Sequence, residues 1–406
     1  MEGTKADLQP DFLLDADEPV SSMEPLLLNS ECDSRSELND LCLELAKRSS
    51  GLRNSIPEGM VPELAKLVRS MNCYYSNLIE GHDTHPIEIE RALAGDYSAD
   101  REKRNLQLEA AAHICVQEWI DNGGIRNRIL STASFLEIHK RFCDKLPEEL
   151  LWVEGEQKKV KVIPGEFRRD AVKVGKHIPV SPGAIPRFAQ RFEEAYEHLG
   201  KLDRILSIPA AHHRFLWIHP FLDGNGRVAR LLSYAQLLEA LDTGGIWSVA
   251  RGLARKVEAY KTHLMDCDAQ RKGDYDGRGN LSQAALIQFT RFFLEVCLDQ
   301  VSFMESLIQP EKLRFRILQW ANEESQAGHV HANAGRVLEG ILYRGELPRA
   351  EVPDLLGVGE RQARRVVSNL IEIGVITSNS DRAPLQLCFP AVLAHRWMPG
   401  LFPQAR

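Results

Sequence analysis

Residues 219–230 read HPFLDGNGRVAR and combine a histidine, a carboxylate, a Gly-Asn-Gly turn and two arginines. Such a turn tolerates positive φ, and its N–H groups form an anion site where they lead into a helix. Guanidinium groups bind phosphate oxygens with paired N–H groups. Apolar residues at helical spacing follow the turn. The stretch therefore predicts a loop that binds a polyphosphate in front of a helix.

Each polar residue of this stretch has a role in that chemistry. His219 ionises near neutral pH and can take a proton from an attacking hydroxyl. Asp223 is placed to hold a divalent cation, for which Mg²⁺ is usual beside phosphates. The candidate phosphate ligands are Gly224, Asn225, Gly226, Arg227 and Arg230. Since no covalent nucleophile is present in the stretch, the implied reaction is direct displacement at phosphorus. Asp-Gly-Asn-Gly alone is also a common structural turn, but the joint pattern favours function.

The whole stretch resembles the signature of the Fic family, HxFxDGNGRxxR, without departure. Members of that family typically transfer AMP from ATP to a serine, threonine or tyrosine hydroxyl of a target protein. The resemblance implies that His219 is the general base and Asp223 the Mg²⁺ ligand. It also implies that Arg227 binds the β-phosphate, that Arg230 binds the γ-phosphate, and that Phe221 is buried beneath the loop.

A second segment, Ser76 to Gly81, fits S-x-x-x-E-G, the inhibitory helix motif of the same family. The periodicity of Met60–Ile79 predicts a helix that Gly81 is suited to end. The alternative is an ordinary exposed glutamate before a capping glycine. The resemblance implies that Ser76 and Glu80 are inhibitory and that Glu80 reaches Arg230 in place of the γ-phosphate. In some members this glutamate also assists removal of AMP, so de-AMPylation stays open here.

Two β-prone runs within Val160–Val180 surround Pro164–Arg168 and predict a hairpin. The resemblance implies that residues 160–180 are a flap on which the target protein docks as an added strand and presents its hydroxyl. A hairpin with a structural role only is the alternative.

From about Gly335 the pattern predicts three short helices and then two strands around Ser378–Pro384, which resembles a winged helix-turn-helix domain. Arg361, Arg364 and Arg365 could contact DNA phosphates. From residue 345 onward, however, seven arginines face six carboxylates, so the charge favours DNA binding only weakly. DNA binding through 335–390, docking of a protein and homodimer formation all stay open.

The length of 406 residues predicts an enzyme with two or three domains. Residues 1–35 hold nine acidic and two basic side chains and account for the whole net charge of −7. Eight scattered cysteines without C-x-x-C spacing are typical of a reducing compartment. No apolar run approaches about 18 residues, and no signal sequence is recognised, so we expect a cytoplasmic protein that does not contact the membrane.

The predicted fold is mainly α, a Fic-type helical bundle with a small β-hairpin flap, followed by the winged-helix domain. Its parts are a leader at 1–35, mobile at least in part, a helical region at 36–125 with the inhibitory helix, a catalytic domain at 126–310 and the winged helix at 330–406. The predicted function is a protein adenylyltransferase autoinhibited by Glu80. The alternative is a DNA-binding regulator that senses nucleotide, although a sensor would not need the base His219. Tyr260 is a candidate for the nucleobase pocket.

Overall fold

A computed structural model describes residues 14–154 and 159–403. Within these ranges the chain forms sixteen α-helices and two small antiparallel sheets, so the expectation of a mainly α protein is confirmed. None of the described helices is both long and apolar enough to cross a membrane.

Seven helices precede the signature. They are α1 (Arg35–Asn54), α2 (Val61–Ile79), α3 (Pro86–Leu93), α4 (Arg101–Asp121), α5 (Thr132–Cys143), α6 (Ile185–Tyr196) and α7 (Lys201–Ile218). Strands β1 (Trp152–Glu154) and β2 (Lys159–Lys161) lie between α5 and α6. The predicted helix over Met60–Ile79 is confirmed as α2.

Nine helices follow. They are α8 (Asn225–Leu241), α9 (Ala250–Arg255), α10 (Val257–Cys267), α11 (Gln283–Ile308), α12 (Pro310–Gln326), α13 (Ala334–Arg344), α14 (Val352–Leu356), α15 (Glu360–Glu372) and α16 (Ala391–Trp397). Strands β3 (Ile376–Thr377) and β4 (Gln386–Leu387) pair between α15 and α16. Helices α13 to α15 and these strands form close to the positions expected from the sequence, and their function as a winged helix stays a prediction.

A cluster of aromatic side chains packs against the signature loop, residues 219–224. Its members are Phe135, Phe188, Phe192, Phe215 and Phe221, all fully buried. They come from α5, α6, α7 and the signature loop, and Phe135 meets both Phe192 and Phe215 edge to face at about 5 Å between ring centroids. The expected burial of Phe221 is confirmed. The cluster fixes the loop on three helices.

Residues 14–34 pack against the helical body. Met23 and Leu26 are buried, and Tyr196 on α6 donates a 2.8 Å hydrogen bond to the carbonyl oxygen of Leu26. Glu18 accepts hydrogen bonds of 2.7 Å from both the N–H and the hydroxyl of Ser181. This part of the predicted leader therefore has fixed partners in the structure, while residues 1–13 lie outside the described residues and the predicted mobility stays a prediction.

The predicted position of the hairpin is wrong. Strand β2 pairs with the preceding strand β1, in the register Val153 to Val160, and residues 155–158 lie outside the described residues. The run after Pro164 forms no long strand and contributes only one bridge, between Val174 and His177. The β-branched residues showed which segments can be extended but not which partner they pair with.

Buried Arg168 explains why the chain after Pro164 is irregular. Its guanidinium donates to three carbonyl oxygens, those of His219 at 2.8 Å, Asp170 at 3.0 Å and Val180. Because these bonds hold the segment against the signature loop, its backbone is not free to form a regular hairpin.

Residues 400 and 401 pack on helices α2 and α9. Tyr75 on α2 donates a 3.1 Å hydrogen bond to the carbonyl oxygen of Leu401, and Arg251 on α9 donates one of 3.0 Å to that of Gly400. Trp320 of α12 and Trp397 of α16 meet edge to face at 5.2 Å. Helices α9, α12 and α16 were not predicted; α9 and α16 have only six and seven residues, whereas α12 has 17 and begins at Pro310.

We predict that Leu401→Ala lowers the free energy of unfolding by about 2–5 kcal/mol, because Leu401 is fully buried and truncation leaves a cavity. Denaturant-induced unfolding measures this change. The matched control is Leu43→Ala on α1, where the side chain is 61% exposed and the effect should stay within about 0.5 kcal/mol. Equal effects at the two positions would contradict the described packing.

Candidate active site

The signature loop connects α7 to α8 through two residues with positive φ. His219 ends α7 at φ +50°, and Gly224 begins α8 at φ +82°. A left-handed conformation is uncommon for a residue other than glycine and is typical of functional sites. The backbone thus turns sharply at both ends of the loop and places the N-terminus of α8 beside His219.

Asn225 closes this loop. Its Oδ1 accepts a 3.0 Å hydrogen bond from the Phe221 N–H, and its Nδ2 donates one of 2.8 Å to the Phe221 carbonyl oxygen. Both ends of the amide thus bind the backbone of the loop, although Nδ2 keeps a second N–H, and a contact of Asn225 with phosphate stays a prediction. Asn225 shapes the site, and the N–H groups at the start of α8 remain for an anion.

His219 is half-buried and neutral. Its Nδ1 lies 3.3 Å from the Leu216 carbonyl oxygen, which can only accept, so Nδ1 carries the proton. Burial lowers the pKa of His219 to about 4, and the charge of Arg168 adds to this. Nε2 is consequently the nitrogen available to take a proton.

Arg230 is held by residues at the C-terminal end of α2. Its Nε donates to Ser76 Oγ at 2.8 Å, its Nη2 donates to the Ser76 carbonyl oxygen at 3.2 Å, and the same Nη2 forms an ion pair with Glu80. The expectation that Glu80 reaches Arg230 is confirmed as a contact. Burial alone would raise the pKa of Glu80, but the charge and hydrogen bond of Arg230 hold it below its ordinary value.

The Glu80 carboxylate also covers the glycine turn. A Cβ atom at Gly226 would collide with Glu80 Oε1 and lie 3.1 Å from Arg230 Nη1. Gly226 is therefore required for the carboxylate to approach the N-terminus of α8. An anion already occupies the place that the pattern assigns to phosphate.

Arg227 is paired with two carboxylates. It forms an ion pair with buried Glu109 of α4 and a 2.9 Å pair with Asp223 Oδ2, and its guanidinium lies 4.8 Å from the ring centroid of Phe142. Asp223 keeps half of its side chain exposed. The two signature residues expected to bind phosphate and metal thus compensate each other's charge here.

Asp223 stands alone as a candidate metal ligand. Among the described residues, no group of three or more histidine, cysteine, aspartate or glutamate side chains could hold a metal ion. One carboxylate fits Mg²⁺, which typically keeps several waters and takes its other ligands from substrate phosphates.

Sequence reasoning missed Glu109 and His82. Glu109 accepts a 2.8 Å hydrogen bond from His82 Nδ1 while it pairs with Arg227. This bond is the main cause that raises the pKa of His82. The Glu109 carboxylate thereby connects His82, which follows Glu80 in the chain, to Arg227 of the signature. Nothing in the spacing of these residues, which lie on three separate elements, could have indicated the contact.

His139 of α5 was missed as well. Its ring stacks on Phe221 at 3.9 Å between centroids, and its Nδ1 accepts a 3.0 Å hydrogen bond from the Gly165 N–H. Burial lowers the pKa of His139 to about 4, so it stays neutral and can accept this bond. His139 therefore joins the flap segment to the signature loop.

The comparisons with known proteins agree with this geometry. A model of the Fic/DOC family matches residues 129–237, which contain the whole signature. This protein carries a Fic/DOC domain. The protein adenylyltransferases Fic of Drosophila erecta and Drosophila melanogaster are each 30% identical over 169 residues, which is 41% of this chain and 32% of theirs. The chain therefore spans about a third of the length of these relatives.

One solved structure supports the fold. The crystal structure of a Fic family protein from Desulfovibrio desulfuricans G20 matches with a TM-score of 0.54 and 17% sequence identity, over 89% of this chain and 98% of that chain. The helical arrangement therefore extends beyond the segment that the family model matches.

We predict that the imidazole of His219 titrates with a pKa of about 4, because burial and the nearby Arg168 disfavour its charged form. The base is then neutral throughout the physiological range. Two-dimensional NMR of ¹⁵N-histidine-labelled protein measures the titration, and His219→Ala identifies the resonance. A midpoint at or above the ordinary value of about 6.5 would contradict the described burial.

Proposed function

We propose that this protein is an adenylyltransferase that moves AMP from ATP to a serine, threonine or tyrosine hydroxyl of target proteins and of itself. The observation that carries the proposal is a neutral, half-buried His219 beside a helix N-terminus with two arginines. Both arginines already bind carboxylates. The Fic domain and the adenylyltransferases it resembles support this reading.

In the proposed reaction, Nε2 of His219 takes the proton of the target hydroxyl as the oxygen attacks the α-phosphorus of ATP. The bond to the bridging oxygen breaks and pyrophosphate leaves. Arg227 and Arg230 bind the β- and γ-phosphates and keep the leaving group in line. Asp223 would hold Mg²⁺, which when bound neutralises charge on the phosphates.

In this proposal, Glu80 inhibits the transfer of AMP. Its carboxylate and a γ-phosphate cannot both occupy Arg230, because two anions would then share one buried cation. ATP can bind in the presence of Glu80 only if its phosphates are displaced from Arg230. The attacking oxygen would then lack an in-line path.

The target docks on the flap, residues 160–180. Apolar side chains stand exposed on this segment and on β1, namely Trp152, Ile163, Val174 and Ile178. The edge of the β1–β2 hairpin offers backbone groups to an added strand. Since Arg168 ties this segment to the carbonyl oxygen of His219, a docked hydroxyl would meet the base in a fixed geometry.

The DNA-binding alternative rests on α15, where Arg361, Arg364 and Arg365 are exposed. Arg364 is paired with Glu360, and the domain has almost no excess of positive charge. The contacts of His219 and Arg230 favour the transferase. Any role of the C-terminal helices in DNA binding, protein docking or homodimer formation would be additional to it.

We predict that Glu80→Gly raises transfer of label from α-³²P-ATP to the protein itself and to lysate proteins by more than about tenfold, because Arg230 becomes free for the γ-phosphate. Adding His219→Ala should reduce this transfer by about 10²–10⁴-fold, the usual contribution of a general base.

The matched control is Glu197→Gly, which also removes a glutamate from a helix C-terminus, that of α6, away from the site. It should label like the wild type. Equal labelling by wild type and Glu80→Gly would refute autoinhibition. Undiminished labelling after His219→Ala would refute the assigned base.

We also predict that labelling by Glu80→Gly requires Mg²⁺ and stops with a chelator. Asp223→Asn should raise the Mg²⁺ concentration for half-maximal activity by about tenfold or more, because the carboxylate is the only protein ligand assigned to the ion. An unchanged Mg²⁺ dependence would show that Asp223 does not hold the metal.

A further inference from the structure

Residues 169–178, called the flap turn below, are fixed beside His219. Val174 and His177 exchange backbone hydrogen bonds of 3.0 and 2.9 Å across a two-residue turn. His177 Nε2 lies 2.7 Å from the carbonyl oxygen of Trp217, two positions before His219. Since a carbonyl oxygen can only accept, His177 donates this bond and holds the flap turn against the end of α7, next to the base.

The chain that leads into this turn has an open backbone edge. Among the described residues, the N–H groups of 169–173 donate no backbone hydrogen bond. Residues 171–174 are also exposed or half-buried, so a partner can reach them. An extended peptide satisfies such backbone groups when it lies alongside them as an added strand. The edge therefore suits an extended segment of a target protein.

The side chains of this part of the flap carry an excess of positive charge. Between residues 159 and 178, the exposed basic side chains are Lys159, Lys161, Arg169, Lys173 and Lys176, and the exposed acidic ones are Glu166 and Asp170. The whole chain, by contrast, has a net charge of −7. The excess is therefore a property of this segment and not of the overall composition.

Two lysines of the flap turn remain available to a partner. The other basic side chains form ion pairs with glutamates, namely Lys159 with Glu154, Lys161 with Glu148 and Arg169 with Glu166. Lys173 and Lys176 have no ion pair within the part of the chain that the structure describes, and Asp170 is the one carboxylate of the turn. The leader does not neutralise these lysines, since Asp15 and Glu18 pair with Arg187.

We propose that the flap turn accepts an extended target segment with aspartate or glutamate beside the modified hydroxyl, and that Lys173 and Lys176 select this segment. The inference rests on the proposed function and narrows its targets to acidic segments. Exposed charges add little affinity, but they discriminate between acidic and basic partners. Val174 and Ile178, which are 42% and 74% exposed, offer apolar contacts to the same segment. The lysines contact flanking residues of the target and take no part in the transfer itself.

The test measures transfer of label from α-³²P-ATP by Glu80→Gly to three pools of nonapeptides. Every peptide has serine, threonine or tyrosine at its centre, and the pools differ only at two flanking positions, which hold glutamate, glutamine or lysine. We expect kcat/KM for the glutamate pool to exceed that for the glutamine pool by about threefold to tenfold at low ionic strength. The lysine pool should react most slowly, and added salt should reduce the differences.

Lys173→Glu combined with Lys176→Glu should reverse this order, because the turn then repels acidic peptides. Lys173→Gln combined with Lys176→Gln should remove the preference without reversing it, and this milder pair keeps the test available if the reversal lowers the yield of folded protein. The matched control is Lys201→Glu combined with Lys312→Glu, which makes the same change of charge at exposed lysines of α7 and α12. The control should keep the original order.

Equal rates for the three pools would overturn the inference, and so would an order that survives the charge reversal. Peptides that stay unlabelled while Glu80→Gly labels itself would overturn it as well, because the flap would then not accept an extended segment. The proposed function stands after each of these results. If Glu80→Gly labels neither itself, nor lysate proteins, nor any peptide, the proposed function is refuted and the inference with it.

Discussion

The site depends on how the protein compensates two guanidinium groups that it has buried. Arg227 and Arg230 lie side by side on the first turns of α8, and both are shielded from water. A buried charge without a partner is costly, so carboxylates must stand beside them. Glu109 and Asp223 form ion pairs with Arg227, and Glu80 forms an ion pair with Arg230. In the proposed reaction, nucleotide phosphates are the anions that replace Glu80.

Contacts on both sides of Glu80 anchor the end of α2. Tyr75, four residues before the end of α2, binds the carbonyl oxygen of Leu401, and Glu109 of α4 binds His82, the residue after Gly81. Glu80 lies between these anchors, at the C-cap of α2 and directly before Gly81, which has φ +88°. The carboxylate can therefore leave Arg230 by a change in the last turn and the glycine hinge. The anchored body of α2 need not move.

The sequence predicted those candidate site residues that lie close together in the chain. His219, Asp223 and Arg230 lie within one loop and one helix turn, and their spacing indicated the cradle that the structure contains. Glu80 was found only because its own segment matched a second pattern. Arg168 and Glu109 contact the signature across 51 and 118 positions of the chain. The periodicity of the sequence does not indicate contacts between residues so far apart. The β-propensity of residues 159–161 likewise does not indicate which strand β2 pairs with.

The negative charge near the signature loop also affects the pKa of His219. A pKa of about 4 makes His219 a weak base, whereas general-base catalysis is most efficient when the pKa lies near the working pH. The causes of the low value are burial and the positive charge of Arg168, so an anion placed in the cradle raises it again. The phosphates of ATP would bring more negative charge to the loop than the single carboxylate of Glu80 does. In the proposed reaction, replacement of Glu80 by the triphosphate would thus align the leaving group and, by the same electrostatics, make His219 a stronger base.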